Sequence, residues 1–285
     1  MANIRQIRRR IRGIRSIAKI TRAMEMIATS KMRRAQERGL AGRPYAEKIH
    51  QVIADLAALP ETGKALHPLL QRRPVNKITV VHITPDRGLC GGLHASINRK
   101  TAGFILEQTV PVTLISVGRK GLDFMRRYHR DIHAEFTNLG DRPSLLDTLP
   151  ISRIIIDDYT NGVIDLVYLV YARFISTMVQ KPVVQQVLPV EPAAIPRAQN
   201  VDYIYEPGPD MVLGGLLPRF VEMQIYHAIL ESIASEQSAR MVAMRNATDN
   251  ANELVDELTL MYNKARQESI TKELLDITGG AAALA

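Results

Sequence analysis

The sequence is poor in the residues that build disulfide frameworks, metal clusters and membrane spans. Its 285 residues include one cysteine, no tryptophan and 5% aromatic residues. A single cysteine excludes an internal disulfide and a cysteine-rich metal site, and it suits a reducing compartment. The longest clearly apolar run, residues 163–172, contains Asp165 and is far shorter than the ~20 residues that cross a bilayer. The basic start has no continuous apolar core, so no signal peptide is predicted and we expect a soluble protein.

Positive charge is concentrated at one end of the chain. Residues 1–43 hold thirteen Lys and Arg and two acids, whereas residues 206–285 hold six basic and twelve acidic residues. One interpretation is nucleic-acid binding, because Lys and Arg neutralise phosphates. The alternative is a basic helix that pairs with an acidic helix of the same chain or with an acidic protein. No aromatic residue precedes Tyr45 to stack on bases, which favours the protein alternative.

The N-terminal segment predicts a long amphipathic helix. Its apolar residues recur at spacings of three and four, which is typical of one helix stripe facing a partner helix. The three-residue step from Ile14 to Ile17 departs from a strict heptad and predicts local overwinding of the helix pair. Pro60 and Gly63 are predicted to end the helix. The stripe consists of Ile4, Ile7, Ile11, Ile14, Ile17, Ile20, Met24 and Ile27.

The C-terminal segment predicts a second, longer helix, since residues 219–278 contain neither glycine nor proline. An uninterrupted heptad pattern within it predicts a coiled-coil seam. The two terminal helices would most simply form an antiparallel pair. The seam residues His227 and Gln237 are interpreted as register devices, with a role as ligands the alternative. The seam consists of Phe220, Met223, His227, Leu230, Ala234, Gln237, Met241, Met244, Thr248, Ala251, Val255, Leu258, Tyr262 and Ala265.

Between the two helices, short apolar runs alternate with helical patterns. This alternation predicts a mainly parallel sheet with crossover helices, and the last two strands are close enough to pair antiparallel. The predicted fold class is α/β, with a long antiparallel coiled coil of N- and C-terminal helices and a small Rossmann-like α/β domain inserted between them. The predicted domains are a coiled-coil helix at 1–60, the α/β domain at 75–190, a connector at 191–209 and a coiled-coil helix at 210–285. Strands are predicted at 76–84, 111–117, 132–136, 163–174 and 178–190, with helices inside 88–108, 118–128 and 145–159.

A glycine-rich turn after the first predicted strand is the most tempting candidate for a chemical site. Residues 88–92 (Gly-Leu-Cys-Gly-Gly) stand where phosphate sites form at the start of a helix. Their spacing fits neither a dinucleotide fingerprint nor a phosphate loop, so a tight turn is the favoured interpretation. Cys90 has no histidine at a paired spacing, and the histidines fit no metal motif. We predict no catalytic, cofactor-binding or metal site.

Four motifs together resemble the γ subunit of the F-type ATP synthase over nearly the whole chain. The last of them contains Ile270, Thr271 and Glu273, followed by Asp276. The resemblance implies a rotor shaft whose terminal helices wind into an antiparallel coiled coil inside a ring of three α and three β subunits. The α/β domain would stand with ε on the membrane ring of c subunits. The motifs are ITRAMEMIATSKMRRAQ at 20–36, DRGLCGGL at 86–93, SEQSARMVAMRNATDNA at 235–251 and YNKARQESITKELLDITGGAAA at 262–283.

The resemblance also implies how the shaft works and which residues contact its partners. Proton flow would turn the shaft, which would present a different side to each β subunit and shift its affinity for nucleotide. The shaft would perform no bond chemistry and bind no nucleic acid, with one copy per complex. The implied partners are the α, β, ε and c subunits. The implied β-subunit contacts are Arg9, Arg10, Met24, Arg87, Arg266, Gln267, Thr271 and Glu273, and the implied foot on the c ring and ε consists of Tyr203, Tyr205 and Glu206.

Two features of this sequence qualify the resemblance. Plastid relatives carry an inserted segment with a regulatory cysteine pair, and this chain has neither the insert nor a second cysteine. Thiol switching is therefore not expected. Because no presequence is recognisable, we expect a bacterial protein held by its partners on the cytoplasmic side of the cell membrane. Two other hypotheses remain open from the residues alone: a coiled-coil nucleic-acid protein that uses residues 1–43, and a nucleotide-dependent enzyme that uses residues 88–92.

Overall fold

The computed structural model describes residues 4–57, 67–191, 206 and 208–284. The predicted fold class is confirmed, because two long helices enclose a five-stranded α/β sheet in the order of the chain. The predicted helix ends at Pro60 and Gly63 lie outside the described residues. The helices are α1 (Ile4–Ala57), α2 (Leu93–Glu107), α3 (Arg119–Arg127), α4 (Leu145–Thr160) and α5 (Pro209–Leu284), and the strands are β1 (Ile78–Ile83), β2 (Val112–Val117), β3 (Ile132–Phe136), β4 (Leu166–Phe174) and β5 (Gln180–Leu188).

The chain separates into two compact units. The coiled-coil unit consists of Met1–Ala28 and Arg240–Ala285, and the α/β unit consists of Thr29–Ala239. Both α1 and α5 contribute residues to each unit. The four domains expected from the sequence are consecutive segments of the chain, whereas one of these units joins residues from both ends. The division into four domains stays a prediction.

The sheet of the α/β unit has the order β3-β2-β1-β4-β5. The first four strands are parallel, and β5 pairs antiparallel with β4, as the short separation of these two strands predicts. Parallel strands are joined by α2, α3 and α4, which cover the two faces of the sheet. All six residues of β1 are buried, because this central strand is covered on both sides.

Two apolar clusters lie on opposite faces of the sheet because successive strand side chains point to opposite sides. Val80 packs in a cluster with Ile97 of α2 and Met125 of α3. Val81, the next residue along β1, packs instead in a cluster that contains Ile155 of α4 and residues of α5. The α/β unit therefore builds its core around a short strand that is buried on both faces, rather than around one that alternates between buried and exposed residues.

A charged cluster ties the segment before β1 to the loop before β4. Asp165 is buried, and its Oδ2 accepts hydrogen bonds from the backbone amides of Asn76 at 2.8 Å and Lys77 at 3.1 Å. Its Oδ1 lies 3.3 Å from Nε of Arg73. The Arg73 guanidinium also lies 4.6 Å from the centroid of the Tyr159 ring. A single carboxylate thus holds two backbone donors and one cation at the start of the central strand.

In the coiled-coil unit, α1 and α5 run antiparallel. Ile7 and Ile11 pack with Val255 and Leu258, while Thr21, further along α1, meets Thr248, which comes earlier on α5. The two threonine hydroxyls are 2.6 Å apart and buried. The heptad pattern predicted for α5 is confirmed, since its seam positions between residues 241 and 258 are all buried (Met241, Met244, Thr248, Ala251, Val255 and Leu258).

The predicted break in the heptad of α1 is wrong. Ile17, Ile20 and Ile27 are 53%, 59% and 55% exposed. The buried residues after Ile14 are instead small ones that continue the regular spacing: Ala18, Thr21 and Ala28. These residues allow α1 to approach the small side chains of the α5 seam closely, so the larger isoleucines are left outside it.

Replacing Asp165 with alanine is expected to lower the free energy of unfolding by about 2–4 kcal/mol, because two backbone donors and Arg73 lose their buried acceptor. Denaturant unfolding of the purified chain measures this. Glu135→Ala is the control, since Glu135 pairs with Arg126 at an exposed position, where such pairs contribute about 0–1 kcal/mol. Equal effects of the two substitutions would contradict the role given to Asp165.

Candidate functional site

The surface of α1 in the coiled-coil unit carries a row of exposed cations. Arg9 and Arg10, two of the implied contacts, are exposed. One interpretation of the sequence is that these cations pair with acids of α5. An ion pair between the two helices has the acid on α1 and the cation on α5 instead. Arg245 of α5 donates from Nε to Glu25 of α1 at 2.8 Å. Among the described residues, no ion pair is formed by Arg8, Arg9, Arg10, Arg12, Arg15, Lys19 or Arg22.

An apolar stripe lies beside these cations. It consists of Ile17, Ile20 and Ile27, which are exposed, with Met24, which is partly exposed. Sequence reasoning missed this surface because it assigned the isoleucines to the seam. The sequence signal for this surface is a set of small residues (Ala18, Thr21 and Ala28) that follow the isoleucines by one position and could form the seam in their place. Exposed apolar side chains flanked by charge are typical of a surface that a protein partner covers.

The C-terminal end of α5 carries the other predicted shaft contacts. Arg266, Gln267, Thr271 and Glu273 are all exposed, as is neighbouring Ile270. The Ser269 hydroxyl donates to Glu273 at 3.4 Å, one helical turn further on. The structure brings these four residues onto one short stretch of helix and leaves their polar atoms at the surface. Their contacts with a partner stay a prediction.

The glycine-rich turn after β1 is organised by Asp86. Its Oδ1 accepts from the backbone amide of Arg119 at 2.9 Å, and its Oδ2 accepts from that of Asn138 at 3.0 Å. Asp86 therefore connects the ends of β1, β2 and β3. Arg87 beside it is exposed, whereas Cys90 is 1% exposed. The turn is a structural junction that presents Arg87 outward.

The crevice at the carboxyl ends of the strands is filled by α5. Doubly wound proteins bind nucleotides in such a crevice. Here Ile229 and Ile233 of α5 line the crevice together with Thr84 and Gly118, and the remaining cavity holds about 40 Å³. Ligand pockets are usually about 300–1,000 Å³, so this space does not admit a nucleotide. The geometry of these described residues therefore leaves no room for a nucleotide in this crevice.

The comparisons with known proteins agree with the two terminal helices and the inserted sheet. Residues 3–284 match the family model described as ATP synthase. A protein of Dehalococcoides mccartyi named ATP synthase gamma chain is 71% identical, with full coverage of both chains. A Roseiflexus protein of the same name is 50% identical and is covered over 99% of its length by the whole of this chain.

The chain belongs to the ATP synthase gamma chain family.

Chains in solved structures of ATP synthases have a similar fold. A chain in the central stalk and c ring of the Tetrahymena thermophila mitochondrial ATP synthase is 26% identical with a TM-score of 0.60, over 80% of this chain and 99% of that one. A chain in the Euglena gracilis mitochondrial rotor has a TM-score of 0.63 over 94% and 98% of the two chains, at 20% identity. The chain is thus a component of the ATP synthase, a complex associated with membranes.

The remaining gamma-family contacts are only partly described. Glu206 is exposed, whereas Tyr203 and Tyr205 lie outside the described residues. Within the described part of the chain, no three His, Cys, Asp or Glu side chains are grouped so that they could hold a metal ion. No helix there is long and apolar enough to cross a bilayer.

Gly118 is needed where α3 approaches β1. Its φ is +96°, and a Cβ added there would lie 1.9 Å from the carbonyl oxygen of Thr84. Gly118→Ala is therefore expected to lower the free energy of unfolding by more than ~1 kcal/mol. Gly103→Ala is the matched control, because nothing lies within 4 Å of its added Cβ in α2. In thermal unfolding, the control should be neutral or stabilising, and a harmless Gly118→Ala would contradict the close approach.

His82 is expected to make the stability of the α/β unit depend on pH. Burial lowers the pKa of His82 to about 3. The neighbouring Asn98 side chain raises this pKa in part, but it does not form a hydrogen bond of good geometry with either ring nitrogen of His82. The folded state therefore keeps His82 neutral, while the unfolded state binds a proton below about pH 6.5. Between pH 7.5 and 5, this should lower the free energy of unfolding by about 2 kcal/mol.

Denaturant unfolding of the chain and of His82→Gln at several pH values isolates this effect. The glutamine variant does not titrate, so its stability should fall less over the same range. Parallel curves for the two proteins would show that His82 is protonated without cost in the folded state.

Proposed function

We propose that the chain is the rotating central stalk of a proton-translocating F-type ATP synthase. It couples proton flow through the membrane c ring to ATP synthesis, or hydrolysis, in the catalytic α/β hexamer. Its partners are the α, β, ε and c subunits, with one copy of the chain in each complex. It is not itself catalytic and lies on the cytoplasmic side of a bacterial cell membrane, where its partners hold it.

The observation that carries this proposal is the surface of the helix pair in the coiled-coil unit. Among the described residues, no ion pair within the chain accounts for the exposed Arg8, Arg9 and Arg10 of α1, and Glu25 of α1 pairs instead with Arg245 of α5. The exposed stripe of Ile17, Ile20 and Ile27 lies on the same helix. A partner that covers this surface must offer both acidic and apolar groups, which favours protein over nucleic acid.

The two helices of the pair expose side chains of opposite charge, so the sides of the pair differ. In the coiled-coil unit, α1 presents exposed arginines, whereas α5 presents exposed acids such as Glu253, Asp256 and Glu257. A β subunit that meets one side therefore experiences different contacts from a β subunit that meets the other. A conformational change needs such a differential interaction, and about 3 kcal/mol of it changes nucleotide affinity roughly 100-fold.

The proposed contacts with β are made by side chains that bond without moving the backbone. Arg9, Arg10, Arg87 and Arg266 present several donors each and suit acidic loops of the β subunits. Their exposed positions favour bonds that form and break as the shaft turns, because exposed ion pairs are weak. The proposed surface for β also includes Met24, Gln267, Thr271 and Glu273. The proposed foot on ε and the c ring consists of Tyr203, Tyr205 and Glu206.

Co-expression with the α and β subunits of the same organism tests the function. A tag on this chain should recover an ATP-hydrolysing complex with one copy of the chain, and adding ε and c subunits should recover them too. Recovery of the chain alone would overturn the proposal. Salt-sensitive binding of duplex or single-stranded nucleic acid at physiological ionic strength would support the alternative instead.

A double substitution of Ile17 and Ile20 by glutamine separates the outer stripe from the seam. Because both side chains are exposed, the variant should unfold within about 0.5 kcal/mol of the original chain. It should recover less α and β subunit in the co-expression assay, since a partner loses two apolar contacts. Ile11→Gln is the control, because Ile11 is 8% exposed and should cost stability by about 2–4 kcal/mol. Full recovery of α and β with the double variant would contradict a contact at this stripe.

A further inference from the structure

The loop between β3 and α4 reaches both long helices through one carboxylate. Oδ2 of Asp141 accepts from Nζ of Lys31 on α1 at 2.6 Å, and Oδ1 accepts from Nε2 of Gln237 on α5 at 3.1 Å. All three residues belong to the α/β unit. Asp141 is thus a common partner of the two helices within that unit.

Gln237 occupies a seam position, where the sequence predicted a register device. It is 1% exposed, and its amide nitrogen donates to the loop of the α/β sheet rather than to α1. A buried amide is costly to leave without a partner, and a charged acceptor makes the bond stronger than a neutral one. The bond therefore specifies the angle at which α5 presents its seam to the loop.

The loop that carries Asp141 is fixed at both ends. The amide of Asn138 donates to Asp86 at 3.0 Å, which holds the loop against the turn after β1. At the other end, the amide of Ser144 donates to Asp147 at 2.7 Å in a capping box that starts α4. A group on a loop held in this way moves with the sheet.

Other contacts between the helices and the sheet do not replace this connection. The apolar cluster that joins α5 to the sheet gives stability without a preferred direction. Ser235 and Ser238 donate to the carbonyl oxygens of Ala172 and Thr177 at 2.8 and 2.7 Å, but both bonds attach α5 alone. The Lys31–Asp141 ion pair gives α1 a directional link to the same loop that holds α5.

We propose that Asp141 is a positioning residue that locks the parts of α1 and α5 within the α/β unit at a fixed angle to its sheet, so that a turn of the sheet is passed to both helices together. The proposal rests on the proposed rotary function. Without Asp141, α1 loses its directional bond to this loop and α5 loses the bond from Gln237, while the apolar contacts and the serine bonds of α5 remain. Torsional stiffness should fall, and the chain should lose some stability because the Gln237 amide loses its acceptor, while the assembled complex keeps its unloaded turnover of ATP.

The test measures angular fluctuations of the α/β unit in a purified complex of this chain with α and β subunits fixed to a surface. A probe is attached through Lys100→Cys on the exposed side of α2, where it is selective because the native Cys90 is buried. In catalytic pauses, Asp141→Ala should widen the angular variance about twofold, because both bonds to the helices are lost. Its rate of ATP hydrolysis without load should equal that of the original complex.

Matched variants separate the ion pair from a general loss of structure. Glu135→Ala removes another exposed carboxylate of the α/β unit, paired with Arg126, and should leave the variance unchanged. Lys31→Asp combined with Asp141→Lys reverses the pair, and the Gln237 carbonyl can accept from the new lysine. This reversed pair should restore most of the stiffness, which a merely structural loss would not allow.

Unchanged variance in Asp141→Ala would overturn the proposal. If that variant does not assemble, the angular variance is measured with Asp141→Asn instead. This variant keeps an acceptor for Gln237 and loses the charge that pairs with Lys31. A variance as narrow as that of the original complex in Asp141→Asn would also overturn it. A failure of the proposed rotary function can be told apart from a failure of this proposal. In the first case the unsubstituted chain does not form a complex with α and β, whereas in the second the complex forms but its angular variance does not depend on Asp141.

Discussion

Close approach of two helices depends on small side chains along their seam. In the coiled-coil unit, α1 contributes Ala18, Thr21 and Ala28 to the buried surface, and α5 contributes Thr248 and Ala251. Because these residues occupy little space, the helices meet closely enough for the hydroxyls of Thr21 and Thr248 to bond at 2.6 Å. The remaining features of the shaft follow from this packing, because it determines which side chains are left outside.

The side chains left outside are the ones available to partners. The isoleucines at 17, 20 and 27 would give a stronger seam, yet they are exposed beside the arginines of α1. The helix pair thus gives up apolar burial of its own and keeps a surface that a ring of other subunits can cover. An exposed surface of this kind suits the proposed shaft, whose contacts must be released in every turn, because ion pairs at exposed positions are weak.

The α/β unit shows how a nucleotide-binding topology serves a different purpose. Its parallel strands and glycine-rich turn resemble those of nucleotide-binding folds, but Ile229 and Ile233 of α5 occupy the crevice where a ligand would lie. The turn residue Asp86 and the loop residue Asp141 use their carboxylates for backbone and helix contacts. The polar groups at this edge of the sheet therefore attach the sheet to the helices.

The sequence by itself determined the secondary structure, the heptad register of α5 and the family. Periodicity and glycine or proline breaks are local properties, so the five strands and the helices α2, α3 and α4 were predicted close to their observed ends. The exposure of Arg9, Arg10, Arg266 and Gln267 agrees with contact roles that stay predictions. Only the tertiary structure decided which stripe of α1 faces α5 and which loop binds Gln237. After Ile14 the sequence offers two stripes displaced by one residue: large isoleucines that break the heptad and small residues that continue it. The choice between them depends on how closely a second helix approaches.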